Sequence, residues 1–392
     1  MNRGPDYDIV IIGAGIHGVG IAQAAAAAGY RTLVLEQARV ASGTSSRSSK
    51  LIHGGLRYLE QFRFGLVYEC LRERELLLRI APELVKLQHF LIPIYRDSLR
   101  RPWQIRAGLS LYTLLSKLGA NSRFESLPAS LWSSLDGLNT EGLQAVFRYQ
   151  DAQTDDALLT KAVMASAMSL GAELLESARF IHAEDRPDGC EIVFEQEARA
   201  RQLHTRVLVN AAGPWVQQVA DRITPNVPQP PIELVQGSHV LLTAPAVKDI
   251  YYLEAPQDKR AVFVMPWQNQ ALVGTTETPF TGNDPATISP SHAETDYLQE
   301  VVAHYFPATR TSLIASFAGL RVLPAKNGRP FGRSRELLIT RDRARQPHVL
   351  HLYGGKLTSY RADSERVIQR LRPLLQERPR LADTRQLHLD PV

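Results

Sequence analysis

Short apolar runs and one long alanine-rich segment dominate the pattern at the start of the chain. Residues 8–12, Asp-Ile-Val-Ile-Ile, and residues 33–36, Leu-Val-Leu-Glu, predict two short strands. Between them, residues 13–29 open with Gly-Ala-Gly-Ile-His-Gly and continue almost without polar side chains, which predicts a buried helix. The order of strand, glycine-rich turn, helix and strand predicts a parallel βαβ unit that binds a dinucleotide.

Three glycines and one acid give this unit its chemistry. Gly13 suits the tight turn, Gly15 lets backbone N–H groups approach a pyrophosphate, and Gly18 lets the helix pack close to the strand. Glu36 comes at the end of the second strand, where its carboxylate can accept both ribose hydroxyls of an adenosine and would repel a 2′-phosphate. The pattern therefore predicts FAD or NAD, and not NADP, as the cofactor.

The same apolar stretch has the composition of a signal peptide or a membrane span, because residues 9–29 contain only His17 and Gln23 as clearly polar side chains. Glycines at fingerprint spacing, followed by an acid, are not features that a lipid-spanning helix needs. We therefore assign the stretch to the nucleotide fold. No other segment reaches the roughly eighteen apolar residues that a span requires.

Two later segments return to the same fold. Residues 205–210 predict a buried strand that runs into the turn Ala211–Trp215, although this turn alone also fits an ordinary strand-to-helix connection. Residues 349–353 predict another strand, and Gly354-Gly-Lys-Leu-Thr-Ser-Tyr-Arg361 then opens a helix to about Leu375. Glycines beside Lys356 predict a second anion or carbonyl site. A cofactor reached by both ends of the chain must be long, which favours extended FAD.

Strand-like alternation around residues 238–243, 261–265 and 271–276 predicts a mixed or antiparallel sheet. Because the nucleotide-binding pieces bracket two insertions, we expect an α/β protein with a discontinuous Rossmann-like FAD-binding domain of residues 1–75, 148–228 and 322–392. Residues 76–147 and 229–321 then form a substrate-binding domain whose sheet covers the flavin.

Composition limits the number of domains and the kinds of partner and compartment. With 392 residues and 44% hydrophobic content, the chain can bury a large core in about two domains. Cys70 and Cys190 lie outside any metal-ligand spacing, which favours a reducing cytosolic compartment and predicts no metal site. A net charge of +5 favours anionic partners. Nucleic acid is not expected, because aromatic and basic residues are not interleaved as in a nucleic-acid-binding module.

The run of residues 43–60, Gly-Thr-Ser-Ser-Arg-Ser-Ser-Lys-Leu-Ile-His-Gly-Gly-Leu-Arg-Tyr-Leu-Glu, crowds hydroxyls, a histidine and cations directly after the nucleotide fingerprint. In isolation it would fit a serine-rich loop that leads into a basic helix. Its position favours a segment that binds phosphate, flavin and substrate together.

Motifs along the whole chain carry a resemblance to a known family. They are residues 45–60 of this run, Asp151–Asp156, Asn210–Val216, Val235–His239, Gly274–Thr276, Ser316–Arg321 and Tyr353–Arg361. With them the chain closely resembles the FAD-dependent glycerol-3-phosphate dehydrogenases, among the D-amino-acid-oxidase-like flavoproteins, over residues 6–372. Longer members carry an additional helical C-terminal domain, whereas this chain stops soon after the last FAD-binding helix, and Val322 stands where a proline is expected. The short form leaves oligomeric state and partner contacts open.

The resemblance implies FAD as the cofactor and assigns residues to each part of it. The ADP half is expected to contact Gly13, Gly15, Gly18 and Glu36. The pyrophosphate and ring are expected to contact Thr44, Ser45, Ser49, Lys50 and Leu51. The isoalloxazine end is expected to contact Gly355, Lys356, Leu357 and Thr358, and Ala212 and Gly213 are further cofactor candidates. Backbone donors and a lysine at the ring would stabilise the negative charge of the reduced flavin.

The resemblance also implies oxidation of sn-glycerol 3-phosphate to dihydroxyacetone phosphate, with hydride transfer to flavin N5. His53 is the expected base, since an unperturbed histidine pKa of about 6.5 leaves a neutral ring near neutral pH. A histidine that only hydrogen-bonds within the fold is the alternative. Arg57 lies four residues on, hence on the same face as His53 if a helix has already begun, and with Tyr58 it suits phosphate binding.

Further substrate contacts are less specific. Arg321 is expected to reach the substrate oxygen or phosphate from the second domain, as a catalytic group, and Lys356 is a substrate candidate as well. His239, Lys259 and Arg333 are substrate candidates for which a structural or surface role fits as well. Asp155 and Asp156 are expected to cap a helix over residues 157–170 and not to take part in chemistry.

The electrons must leave the reduced flavin, and residues 96–117 suggest where. This segment combines five cations, Trp103 and an apolar stretch, as in segments that lie in an anionic membrane interface. A solvated basic loop before a core helix is the alternative. The resemblance favours a quinone acceptor and a cytoplasmic protein attached to the inner face of the membrane, with help from Arg361, Arg366, Arg370 and Arg372. An oxygen-using glycerol-phosphate oxidase, an oxidase of amino or hydroxy acids, and a non-catalytic flavoprotein remain as alternatives.

Overall fold

The computed structural model describes residues 5–325 and 336–392. Its helices are α1 Ile16–Ala27, α2 Phe64–Ile80, α3 Pro102–Leu115, α4 Asp156–Ser169, α5 Val216–Ala220, α6 His292–Tyr305 and α7 Tyr360–Leu371. Its strands are β1 Tyr7–Ile12, β2 Thr32–Leu35, β3 Leu51–Ile52, β4 Val85–Tyr95, β5 Phe124–Ser126, β6 Leu143–Thr154, β7 Glu173–Leu175, β8 Ala178–Arg186, β9 Gly189–Gln196, β10 Arg199–Asn210, β11 Ile223–Thr224, β12 Ile232–Leu242, β13 Ile250–Glu254, β14 Ala261–Trp267, β15 Gln270–Gly274, β16 Thr278–Pro279, β17 Leu313–Pro324, β18 Leu338–Arg341 and β19 Val349–Tyr353.

The first sheet contains the predicted nucleotide-binding strands. Strand β1 lies between β2 and β10 and is parallel to both, and β19 continues the parallel arrangement beside β10. Strand β1 is apolar along its length because parallel strands of this kind are covered on both faces of the sheet. Ile9, Val10 and Ile11 are accordingly fully buried. Strands β8 and β9 extend β10 as an antiparallel meander. This arrangement confirms the predicted α/β fold.

Helix α1 covers one face of this sheet and is buried almost along its whole length. Its alanines and glycines have short side chains, so α4 and α7 can pack directly against it. This burial explains why residues 9–29 lack polar side chains: the stretch belongs to a protein core. Within the described residues, no helix combines the length and the apolar character that crossing a bilayer requires.

The second sheet has the order β16-β12-β15-β14-β13-β4-β6-β3, with β17 beside β12 and β5 beside β6. Most of its neighbouring strands are antiparallel, and β13 and β4 are parallel. The three segments with predicted strand alternation overlap β12, β14 and β15, although the first and third extend past the ends of β12 and β15. The boundary expected between residues 147 and 148 falls inside β6, which runs unbroken through the second sheet, and β3 joins this sheet too. The division into domains remains a prediction.

Two helix boundaries differ from the sequence expectation. The last predicted helix begins only at Tyr360, because Gly354 and Gly355 adopt φ of 77° and 97°, which no right-handed helix contains. Helix α4 begins at Asp156, and the Asp155 carboxylate accepts hydrogen bonds from the backbone N–H groups of Ala157 and Leu158. Asp155 is therefore the predicted N-cap.

Two arginines of α7 that were expected to assist at a membrane pair with carboxylates of the protein. The Arg361 guanidinium is buried and donates to both carboxylate oxygens of Glu73, at 2.8 and 2.7 Å. Arg366 pairs with Glu69 and Asp363. These contacts attach α7 to α2. The expectation that Arg361 helps to hold an anionic membrane is wrong because its side chain is buried, whereas Arg366, Arg370 and Arg372 are exposed and for them the expectation stays a prediction.

Candidate functional site

The glycine fingerprint closes the turn between β1 and α1. The Gly13 N–H donates to the Leu35 carbonyl at 2.8 Å, and φ of 101° at Gly13 favours glycine. A Cβ on Gly18 would lie 1.9 Å from the Gly13 carbonyl oxygen, so only glycine lets the helix come this close. Gly13 and Gly15 line a cavity of about 730 Å³, which we call the outer cavity, whereas Gly18 is a packing residue behind it.

Glu36 stands at the end of β2, on the wall of the outer cavity. Its carboxylate accepts hydrogen bonds from the backbone N–H groups of Ala14 and Ala38, both at 2.8 Å. Burial raises the pKa of Glu36, and these two hydrogen bonds act in the opposite direction. Ala212 and Gly213 line the same cavity from the turn after β10. The cavity thus offers carboxylate oxygens beside a helix N-terminus, the two kinds of group that hold the ribose and the phosphates of an adenosine diphosphate.

The serine-rich run forms the passage to a second cavity of about 260 Å³, which we call the central cavity. The Ser45 hydroxyl accepts the Ile16 N–H at 2.9 Å, in the first turn of α1. The Thr44 hydroxyl donates to the Leu320 carbonyl at 2.8 Å. Because Gly15, Thr44 and Ser45 line both cavities, the two form one continuous elongated space. Two cavities that adjoin in this way suit a long cofactor such as extended FAD.

Lys50 is placed differently from the sequence expectation. Its ammonium group is buried, donates to the Ser46 carbonyl at 2.7 Å and pairs with the Asp156 carboxylate, while its Nζ lies 5.5 Å from the Trp267 ring centroid. Lys50 is not among the residues that line the described cavities. Its side chain braces the serine-rich run against α4, whose first residue is Asp156. Asp156, expected only as a cap, is therefore half of a buried ion pair.

The loop before α7 forms the far wall of the central cavity. Gly355, Lys356, Leu357 and Thr358 all line it. A Cβ on Gly355 would lie 2.4 Å from the His17 ring, so this close approach requires glycine. The Lys356 ammonium lies 3.8 Å from the centroid of the Tyr58 ring and 3.9 Å from the Cys70 sulfur. Burial raises the pKa of the Cys70 thiol to about 11, so Lys356 is held by an aromatic face and a neutral thiol.

His53, Arg57 and Tyr58 meet in a smaller adjoining space of about 100 Å³, which we call the side pocket. Ser49, Leu51, His53 and Tyr58 line both the side pocket and the central cavity. His53 and Arg57 do not lie on one face of a helix, as was expected if a helix had already begun at His53. Gly55 has φ of 76°, and a 3₁₀ helix begins only at Leu56. The turn nevertheless brings His53 and Arg57 to the same pocket.

His239 lies on β12 at the wall of the central cavity. Its Nε2 is 3.0 Å from the Ser49 hydroxyl, and its ring stacks on Phe317 with centroids 5.0 Å apart. Burial lowers the pKa of His239 to about 3, and the nearby charges of Arg321 and Lys50 act in the same direction. The ring is therefore neutral near neutral pH and can act in hydrogen bonds without carrying a charge.

Arg321 projects from β17 into the central cavity. Its guanidinium donates to the Glu277 carboxylate and to the Thr275 hydroxyl, both at 3.0 Å. A Cβ on Gly237 would lie 2.5 Å from a terminal nitrogen of Arg321, so the glycine makes room for the guanidinium. Arg321 is thus held in one orientation by a charge-assisted hydrogen bond.

Two substrate candidates lie elsewhere. The Lys259 ammonium pairs with Asp97 at 2.8 Å on the surface and is not among the residues lining the side pocket or central cavity. Its neighbour Arg260 lines the side pocket instead. Arg333 falls outside the described residues.

Sequence reasoning missed three groups in the cavities. Glu277 comes directly after the motif Gly274–Thr276 and lines the side pocket. Arg47 lies within the serine-rich run and lines both the outer and central cavities. Arg260 was detectable only as the neighbour of Lys259. No group of three His, Cys, Asp or Glu side chains within residues 5–325 and 336–392 is arranged to hold a metal ion.

Comparison with known proteins agrees with this geometry. Residues 8–360 match the family model described as FAD dependent oxidoreductase. A glycerol-3-phosphate dehydrogenase of Pseudomonas tolaasii is 38% identical over 382 residues, which cover 95% of this chain and 73% of the relative. A D-erythritol 1-phosphate dehydrogenase of Brucella abortus is 34% identical over 378 residues, covering 93% of this chain and 73% of the relative.

A solved structure extends the comparison to three dimensions. The glycerol-3-phosphate dehydrogenase of Bacillus halodurans, complexed with FAD, superposes with a TM-score of 0.74 at 25% identity. The match covers 99% of this chain and 68% of that one.

Proposed function

Because the chain belongs to the FAD dependent oxidoreductase family, in the group that contains the glycerol-3-phosphate dehydrogenases, we propose that it oxidises sn-glycerol 3-phosphate to dihydroxyacetone phosphate. FAD, when bound, supplies the acceptor for the hydride. The observation that carries the proposal is the side pocket, where a histidine, two arginines and three tyrosines adjoin the cavity that fits FAD. A small phosphorylated alcohol needs a base for its hydroxyl proton and cations for its phosphate in one pocket.

Each residue of the side pocket has a role in this proposal. Arg57, with the Tyr58 hydroxyl, grips the phosphate by charge-assisted hydrogen bonds. Arg260 adds a second cation on the opposite wall. His53 takes the proton of the hydroxyl that is oxidised, and Arg321, held by Glu277, orients the substrate oxygen. The apolar side chains of Phe90 and Phe263 exclude water from the pocket.

The cofactor roles follow from the two larger cavities. Gly13, Gly15 and Glu36 would hold the ADP half, and Thr44, Ser45 and Gly213 the pyrophosphate. Gly355, Lys356, Leu357 and Thr358 would hold the flavin end, where Lys356 would supply a positive charge for the reduced flavin.

Anaerobic mixing with substrate tests the reaction directly. The visible flavin absorbance should disappear with sn-glycerol 3-phosphate and persist with amino acids and 2-hydroxy acids. Faster bleaching by D-erythritol 1-phosphate would assign the enzyme to the longer substrate, and bleaching only by amino or hydroxy acids would overturn the proposal. Absence of bleaching by every compound would point to a non-catalytic flavoprotein.

Two variants assign the roles within the pocket. In His53→Ala, FAD should stay bound while bleaching is lost, and bleaching at the full rate would remove His53 from the mechanism. In Arg57→Ala, the substrate should bind more weakly, because a charge-assisted phosphate contact contributes roughly 1.5–3 kcal/mol. An unchanged half-saturation concentration would contradict the role of Arg57.

We further propose a quinone as electron acceptor and attachment to an anionic membrane surface. Leu99, Trp103 and Leu114, on and next to α3, are more than 60% exposed. Arg101 and Arg106 flank them, whereas Arg100 is held by Glu60 and Glu254. Exposed apolar side chains among cations are typical of a helix that lies in the interface between a membrane and water. Reoxidation by a soluble quinone, compared with oxygen, tests the acceptor.

A further inference from the structure

The backbone N–H of Gly54, next to the proposed base His53, faces a buried polar cluster. The Gly54 nitrogen lies 2.9 Å from the Tyr112 hydroxyl and 3.4 Å from Oδ1 of Asp151. The Tyr112 hydroxyl donates in turn to Oδ2 of Asp151, at 2.6 Å. Tyr112 and Asp151 are at most 1% exposed. We call Tyr112, Asp151 and Arg74 the Gly54 clamp.

Arg74 completes the clamp from α2. Its guanidinium is fully buried and donates to Oδ1 of Asp151 at 2.6 Å, to the Ser122 hydroxyl at 2.6 Å and to the Gln150 carbonyl at 3.1 Å. Burying a carboxylate costs free energy, and a paired cation with additional hydrogen bonds offsets that cost. The three members come from α2, α3 and β6, so the clamp fixes Gly54 relative to three separate elements.

The space around Gly54 shows how closely the clamp fits. A Cβ on Gly54 would lie 2.4 Å from the Tyr112 hydroxyl oxygen and 2.7 Å from Cδ2 of Leu71. Any larger residue must therefore displace Tyr112 or the turn itself. Thr358 meets the other side of this turn, since its hydroxyl lies 3.2 Å from the His53 nitrogen. The backbone of His53 and Gly54 is thus held from the loop before α7 and from the clamp.

We propose that Tyr112 and Asp151 are positioning residues that keep the His53 ring in line with the substrate hydroxyl. This inference rests on the proposed function, because it gives His53 its role there. None of the three clamp side chains lines the side pocket or the central cavity, so the hydrogen bonds of the clamp reach His53 through the Gly54 amide. A turn that is free to shift by about 1 Å can lower the rate on the order of a hundredfold while leaving binding intact.

Tyr112→Phe tests the clamp with the smallest change, because it removes only the hydroxyl. We expect kcat with sn-glycerol 3-phosphate to fall roughly 10- to 100-fold while KM and the affinity for FAD stay within about twofold. Tyr251→Phe is the matched control. The buried Tyr251 hydroxyl donates to Asp136 at 2.9 Å, away from the cavities, so kcat should be unchanged.

Hydrogen–deuterium exchange supplies a measurement that does not depend on turnover. The amides of residues 51–60 should exchange faster in Tyr112→Phe than in the wild type and Tyr251→Phe, both with FAD bound. If exchange rises and kcat stays at the wild-type value, the positioning role is wrong while the proposed reaction stands. If the wild type itself does not turn over glycerol 3-phosphate, the proposed function fails and the exchange data still report on the clamp.

Gly54→Ala should also release the turn at His53 from the clamp, because the added Cβ would clash with the Tyr112 hydroxyl. It should show the same loss of kcat and the same faster exchange. Gly65→Ala, where a Cβ meets nothing within 4 Å, is its control and should behave as the wild type. Wild-type kcat in both Gly54→Ala and Tyr112→Phe would overturn the proposal.

Discussion

At the scale of single residues, Lys50 and Asp156 determine whether the serine-rich run keeps its shape. Replacing Lys50 by Met leaves the Asp156 carboxylate buried without its partner, which should lower the free energy of unfolding by about 3–5 kcal/mol. Urea unfolding of the FAD-free protein measures this change. In the control Lys259→Met, an exposed pair with Asp97 is lost, and the decrease should stay below about 1 kcal/mol. Equal effects of the two variants would contradict a bracing role for Lys50.

His351 makes stability depend on pH. It is fully buried on β19, its Nδ1 lies 3.0 Å from the Asn210 amide, and burial lowers its pKa to about 4. In the unfolded chain the pKa is about 6.5, so between these two values the unfolded state binds more protons than the folded state. His351 should therefore reduce the free energy of unfolding as pH falls from about 6.5 towards 4, by up to about 1.4 kcal/mol per pH unit.

Urea titrations at several pH values isolate this contribution. His351→Gln should flatten the slope between pH 4 and 6.5, because the group that gains a proton on unfolding is gone. His388→Gln, at an exposed position, should leave the slope as it is. A slope that does not change in His351→Gln would show that other groups cause the acid sensitivity.

Residue types predicted part of the site, and the reason for each failure is physical. Glu36 was predictable because a strand end next to a glycine turn fixes its surroundings. Lys50 was not, since the sequence does not tell which side of the run faces Asp156. Likewise, Arg260 rather than Lys259 reaches the side pocket. Both lie in the connection before β14, where no strand periodicity tells which of two neighbouring side chains faces the pocket.

At the scale of elements, α3 carries both the exposed face proposed to contact a membrane and one member of the Gly54 clamp. Its outer side carries Trp103, which is 70% exposed, and its inner side carries Tyr112 of the Gly54 clamp. The sequence predicted the amphipathic segment but not the end of the helix that supports the turn at His53. That contact joins residues 54 and 112, and no local pattern records a pairing across such a distance in the chain.

Vesicle binding tests the outer side of α3. Trp103→Ala should weaken sedimentation with anionic vesicles at low salt at least about tenfold, because a large apolar side chain no longer enters the interface. Met168→Ala, on α4, removes another side chain that is half exposed and should leave binding unchanged. Wild-type protein that stays in the supernatant with anionic vesicles would refute the membrane proposal itself.

At the scale of the whole molecule, the central cavity lies between the two sheets. Gly15 and Ala211 reach it from the first sheet, and His239 and Arg321 from the second. The sequence predicted both sheets from strand periodicity. It did not predict the boundary between the two expected domains. Strand β6 begins in the expected substrate-binding segment and continues without a break to the start of α4, which was expected in the FAD-binding domain.

FAD should therefore stabilise both sheets together. At a hundred times its dissociation constant, a ligand that binds only the folded state adds roughly 2.7 kcal/mol to the free energy of unfolding. We expect calorimetry to show FAD raising the unfolding temperature of the whole protein in one transition, since separating the sheets destroys the site. In Glu36→Lys, where the ribose acceptor becomes a cation, the same FAD concentration should shift the transition much less. Two separate transitions, with FAD raising the midpoint temperature of only one, would show that a single sheet holds the cofactor. The side pocket would then form without help from FAD.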